Sequence, residues 1–159
     1  MESIDFSFPW GYFDGSVVGD PKVCGARGIL FFFPTNCYIS FKAGLGHGTN
    51  NFVELLGLKL LLKLALENNI TNLQVFGDSQ LVIKWVNGLY RVQNMILSPL
   101  LSEVIIFTGM LELVVFKHIY RERNFVADGL AKDGAMVHEG AWLIMKQWNS
   151  DFSEILLTF

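Results

Sequence analysis

Hydrophobic positions change rhythm several times along the chain. Residues 10–18 (WGYFDGSVV) and 23–33 (VCGARGILFFF) are dense in β-formers, and 37–44 (CYISFKAG) alternates, so three strands are predicted. Pro34-Thr35-Asn36 supplies the turn that folds the third strand back on the second as a hairpin. Gly44 to Gly48 forms a glycine-rich loop, and Thr49 or Asn50 can cap the helix that follows and fades at Glu67. LQVFGD (73–78) reads as a short buried strand. SQLVIKWVNG (79–88) reads as a helix closed by Gly88. Residues 95–109 form another amphipathic helix with Pro99 in its first turn, 111–119 (LELVVFKHI) a strand, and 124–137 (NFVADGLAKDGAMV) a last helix. This order predicts an α/β domain with a mixed sheet, in which an antiparallel meander leads into β-α-β crossovers. Residues 1–9 are a lead-in and 10–137 one domain. Residues 138–159, with Trp142 and Trp148, are a C-terminal extension of unassigned role.

Within the first helix the polar positions are not equivalent. Lys59, Lys63 and Glu67 fall at i, i+4, i+8 and form one polar stripe. Glu54 lies about 140° from Lys59 and about 180° from Lys63, on the opposite face, which should pack inward. A carboxylate taken out of water costs several kcal/mol unless something pairs with it.

Composition narrows the class. The chain has 159 residues, 52% of them apolar and 14 of them Phe, which fits one domain with a real core. No apolar run spans a bilayer, and MESIDFSFPW lacks the pattern of a signal peptide, so no membrane partner and an intracellular setting, cytoplasmic or nuclear, are expected. Cys24 and Cys37 are too few for a disulfide framework or a zinc site and read as buried thiols. A net charge of −3 argues against diffuse polyanion binding, leaving local or metal-assisted contacts.

Four acids share one kind of address. Asp14 lies on the first strand, Glu54 on the inward helix face, Asp78 at the end of the fourth strand and Asp128 at the start of the last helix. Ligand sites in open α/β sheets form beyond the carboxyl ends of strands where crossovers diverge. Carboxylates gathered there repel one another, and divalent cations relieve that repulsion. Mg²⁺ takes oxygen ligands, and two such ions can activate water and stabilise a leaving phosphodiester oxygen. Taken singly, each Asp also has a structural reading as turn, cap or first-turn acid; Glu54 has none.

The set FDGS, TNNFVE, GDSQLV and HIYRERNFVADGLAK resembles the type 1 ribonuclease H family. GLGHGTNN, VFGDSQLVIKW and YRERNFVAD are most similar to the ribonuclease H-like domains of plant non-LTR retroelement reverse transcriptases. The resemblance covers roughly residues 10–137 and implies a five-stranded mixed sheet flanked by helices. It also implies that Asp14, Glu54, Asp78 and Asp128 bind catalytic metal, Mg²⁺ with Mn²⁺ as substitute. Thr49, Asn50 and Asn51 would touch the DNA strand, Gln80 would contact bases in the minor groove, and Ser16 of FDGS would lie on the substrate side. His118, ten residues before Asp128, matches an auxiliary histidine of bacterial members; the alternative is a plain strand-end histidine. Arg121 and Arg123 are the local basic candidates for phosphate contact. Asn124 also matches and shapes the turn into the last helix.

Two departures bear on substrate grip. Only 49 residues separate Asp78 from Asp128, leaving no room for the basic protrusion of bacterial enzymes. His47 stands where bacterial phosphate pockets carry arginine. The expectation is a monomeric Mg²⁺-dependent endonuclease that cuts the RNA strand of RNA–DNA hybrids and needs no small-molecule cofactor. The alternative is a domesticated, non-catalytic nucleic-acid or protein-interaction module with a relic site. Whether the domain acts alone or within a longer retroelement polyprotein is left open by the sequence.

Overall fold

A computed structural model describes residues 4–5, 7–19, 23–32, 37–121 and 141–158. The elements among them are β1 (Trp10–Val18), β2 (Val23–Phe32), β3 (Cys37–Gly46), α1 (Asn50–Glu67), β4 (Asn72–Gly77), α2 (Gln80–Val86), α3 (Leu97–Gly109), β5 (Leu113–His118), β6 (Ala141–Trp148) and β7 (Asp151–Thr158). The helix expected over 124–137 lies outside the described residues.

Local chemistry explains where the helices begin and end. The Thr49 hydroxyl accepts the Phe52 N–H at 3.2 Å and caps α1. At the other end Asn69 turns left-handed (φ 60), with the Asn69 and Ile70 N–H groups donating to Leu66 and Ala65 carbonyls. Gly88 (φ 75) closes α2 in the same way, as its sequence position predicts. The Asn94 carboxamide oxygen accepts from Ile96 and Leu97 at 2.8 and 3.1 Å, opening α3, with Pro99 in its first turn.

One mixed sheet runs in the order β5-β4-β1-β2-β3-β6-β7. β1, β2 and β3 form the antiparallel meander, while β4 and β5 add in parallel on the β1 side. The mixed α/β class is the one expected, but the sheet has seven strands where five were expected. The additional two are the β6–β7 hairpin, paired antiparallel onto β3 and joined by Asn149-Ser150, with Asn149 at φ 55. The C-terminal extension is therefore largely sheet. Trp142 anchors it: its side chain is buried, edge-on to Phe41 with ring centroids 6.1 Å apart.

The core lies between the sheet and α1, whose buried residues come from nearly all sides because α3 packs against it as well. The two lysines of the polar stripe therefore have partners on neighbouring elements. Lys59 pairs with Glu103 on α3, and the Lys63 ammonium stands 5.6 Å over the Trp142 ring. A smaller cluster of Trp10, Phe76 and Ile119, joined by Tyr12 and Phe31, is separate from that core. Cys24 and Cys37 are both buried and not joined in a disulfide. Among the described residues no helix is long and apolar enough to cross a membrane.

Candidate active site

The site forms where β1 parts from β4. The two strands pair only through Trp10–Tyr12 and Gln74–Phe76, so beyond Tyr12 the parallel ladder opens. Asp14 lies just past that opening, and Asp78 follows the last residue of β4. Such a divergence point leaves room between strand ends for polar side chains.

Two glycines bring the third acid in. A Cβ on Gly15 would sit 2.7 Å from the Glu54 nitrogen and from the Val53 carbonyl carbon. A Cβ on Gly57 would sit 2.9 Å from the Asp14 carbonyl oxygen. Only hydrogen at both positions lets α1 lie this close to β1, and that approach sets Glu54 beside Asp14. As a result one carboxylate oxygen from each of Asp14, Glu54 and Asp78 lies within 4.8 Å of the others. Asp14 is fully buried and Glu54 is 7% exposed.

Electrostatics follow from that crowding. Burial pushes the Glu54 carboxyl up to about 10, reinforced by the Asp14 charge, a hydrogen bond with Asp14 and the Asp78 charge, while the Gly15 N–H opposes the rise. Glu54 Oε2 is buried and has no hydrogen-bond partner among the described residues. Such an oxygen costs free energy unless something else satisfies it. Three hard oxygen donors, one of them a buried acceptor left over, suit a hard divalent cation.

The neighbouring residues divide into two sets. His118 ends β5 beside Gly77, and its Nε2 lies 3.2 Å from the Asp78 carbonyl oxygen, to which the ring can only donate. Its ring also meets Tyr120 edge-on. Arg121 is largely exposed, with Nε 4.0 Å from Asp78 Oδ2. On the other side Thr49 and Asn50 are exposed and Asn51 half-buried at the start of α1. His47, Gly48, Thr49 and Phe52 join Asn94, Ile96 and Leu97 in lining an open hollow of about 280 Å³. Gln80 is exposed at the first position of α2, after Ser79 caps it by accepting the Val82 N–H. Ser16 is half-buried on β1, opposite Gly25. Asp128, Arg123 and Asn124 lie outside the described residues.

Sequence reading passed over Arg27. It is directly opposite Asp14 in the β1–β2 pair and is 4% exposed. The signal is present in the sequence as the one charge in VCGARGILFF. Gly15 and Gly57 also went unread as packing residues, because the need for close approach appears only once α1 and β1 are placed together.

Residues 12–134 match the family described as Reverse transcriptase-like. The bifunctional protein Rv2228c of Mycobacterium tuberculosis is 27% identical over 121 residues, covering 76% of this chain. The chain spans about a third (33%) of that relative's length. The N-terminal RNase H domain of the same protein superposes with a TM-score of 0.76 at 25% identity, over 82% of this chain and 94% of that one. LC11-RNase H1, solved in complex with RNA/DNA hybrid, gives a TM-score of 0.70 at 26% identity, over 81% and 99% of the two chains.

Proposed function

The chain belongs to the Reverse transcriptase-like family and has a ribonuclease H-like fold, and on that premise we propose that it hydrolyses the RNA strand of RNA–DNA hybrids as a divalent-metal-dependent endonuclease. One observation carries the reading: Asp14, Glu54 and Asp78 converge within 4.8 Å, with a buried Glu54 oxygen left to be satisfied. Together with Asp128, assigned by its sequence match, they would hold Mg²⁺, or Mn²⁺ in its place. A pair of such ions, when bound, supplies water activation and neutralises charge developing on the phosphodiester.

The chain's own residues do the rest. The opening between β1 and β4 presents the carboxylates at the end of the sheet. His118, whose Nε2 meets the Asp78 carbonyl oxygen, would take part in proton movement or product release. Thr49, Asn50 and Asn51, beside the open hollow, would receive the DNA strand, and Gln80, exposed at the start of α2, would reach the minor groove. Ser16 would lie on the RNA side, and Arg123, with Arg121 when released from Asp78, would meet phosphate. An A-form-like hybrid offers a wide minor groove with 2′-hydroxyls, by which the RNA strand is distinguished. The products would be a 5′-phosphate and a 3′-hydroxyl. Residues 10–137 would form the catalytic unit, acting as a monomer or within a longer polyprotein.

A second reading, a non-catalytic module with a relic site, is favoured by the position of Arg121, a cation already set against Asp78. Incubating the chain with hybrid, duplex DNA and duplex RNA, each with and without Mg²⁺, separates the two. Mg²⁺-dependent cleavage of the hybrid's RNA strand alone is the expected result. Binding without cleavage under every metal condition supports the second reading instead.

A further inference from the structure

Arg27 is a buried cation opposite Asp14 in the β1–β2 pair, and nothing in the chemistry above uses it. Opposed residues of an antiparallel pair project from the same face, with Cβ atoms about 4.5–5.5 Å apart. Arg27 opposes Asp14 in this way, and Lys42 on β3 opposes Arg27, so one row across three strands reads Asp14, Arg27, Lys42. Ala26 fixes which face this is. A Cβ on Gly57 of α1 would lie 3.6 Å from the Ala26 Cβ, so Ala26 faces α1 and Arg27, its neighbour, faces away. Arg27 is 4% exposed and Lys42 half-buried, so Arg27 is shut off from a bound nucleic acid. A guanidinium keeps its charge under all ordinary conditions, and inside a protein that charge is poorly screened.

Resting on the divalent site proposed above, we propose that Arg27 is a positioning residue that serves as a fixed counter-charge to Asp14 and sets the affinity of the site for divalent cations. It offsets part of the Asp14 charge while no cation is bound, which lowers the cost of burying that carboxylate. The same charge repels an incoming cation, so the site fills at a higher Mg²⁺ concentration than three carboxylates alone would require.

The test is a Mg²⁺ titration of the whole chain, followed by melting temperature and, in parallel, by hybrid cleavage. Arg27→Met and Arg27→Gln remove the charge while keeping most of the side chain's length; Arg27→Lys keeps the charge. The neutral variants should melt lower without Mg²⁺ and reach half-response at a Mg²⁺ concentration at least about fivefold below wild type. Arg27→Lys should keep the wild-type midpoint. If Arg27 were only a packing residue, all three variants would melt lower with an unmoved midpoint, and that result overturns the proposal. A wild-type chain with no Mg²⁺ response at any concentration refutes the divalent site itself; a response whose midpoint is indifferent to Arg27 refutes this inference alone. Should one neutral variant fail to fold, the other carries the comparison.

Discussion

At Glu54, burial and two neighbouring carboxylates act in the same direction. Its carboxyl is raised from 4.5 to about 10 in the folded chain without metal. A group with a raised folded pKa contributes its full stability below the unfolded value and loses it as pH rises toward the folded one. Between pH 4.5 and about 10, metal-free stability should therefore fall with pH, by at most about 1.4 kcal/mol per unit from this residue. Glu54→Gln, which resembles the protonated acid, should flatten that slope and be the more stable protein at pH 8. Denaturant melts at pH 5, 6.5 and 8 on both proteins check this; identical slopes would remove the electrostatic account of Glu54. Among single residues, Glu54 was the one legible from helical geometry alone, since its angle from the lysine stripe already placed it inward. Arg27 was not, because strand register is needed to set it opposite Asp14.

The elements themselves were largely legible. Each strand and helix expected between residues 10 and 119 forms close to its expected bounds, because its apolar period, caps and turn residues agree with one another. The β6–β7 hairpin was not read. Its turn is only Asn149-Ser150, and β7 is exposed from Asp151 to Leu157, so no buried face imposes an alternating pattern there. Trp142→Ala should cost about 3–5 kcal/mol by denaturant unfolding if the hairpin is an integral part of the sheet. A loss under 1 kcal/mol would show the hairpin to be peripheral. The α1–β1 contact makes a second prediction. Gly57→Ala puts a methyl group against the Asp14 backbone, so α1 must move away. Overpacking of this kind costs about 1–3 kcal/mol, and it should weaken any Mg²⁺ response more than an equally destabilising change remote from the site. Matching losses of Mg²⁺ response in two such variants would mean that the close approach does not build the site.

Across the whole molecule, charge limits how strongly a polyanion can be held. With a net charge of −3, hybrid binding should rest on few phosphate contacts. The slope of log affinity against log salt should correspond to about two to four phosphates, and binding assays between 50 and 200 mM salt (roughly the range over which such slopes are read) would show it. A slope equivalent to about eight contacts would contradict this and point to an extended basic surface. All of this depends on Asp14, Glu54 and Asp78 acting together as one cation site. The most direct measurement is the change in melting temperature on adding Mg²⁺, compared between wild type and the Asp14→Asn/Asp78→Asn double variant. At about a hundredfold above the dissociation constant, a bound ion stabilises the fold by about 2.7 kcal/mol, which in a chain of this size raises the melting temperature by roughly 5–10 °C. Wild type should show that rise and the double variant none, whereas a double variant that keeps the full rise would contradict the shared site.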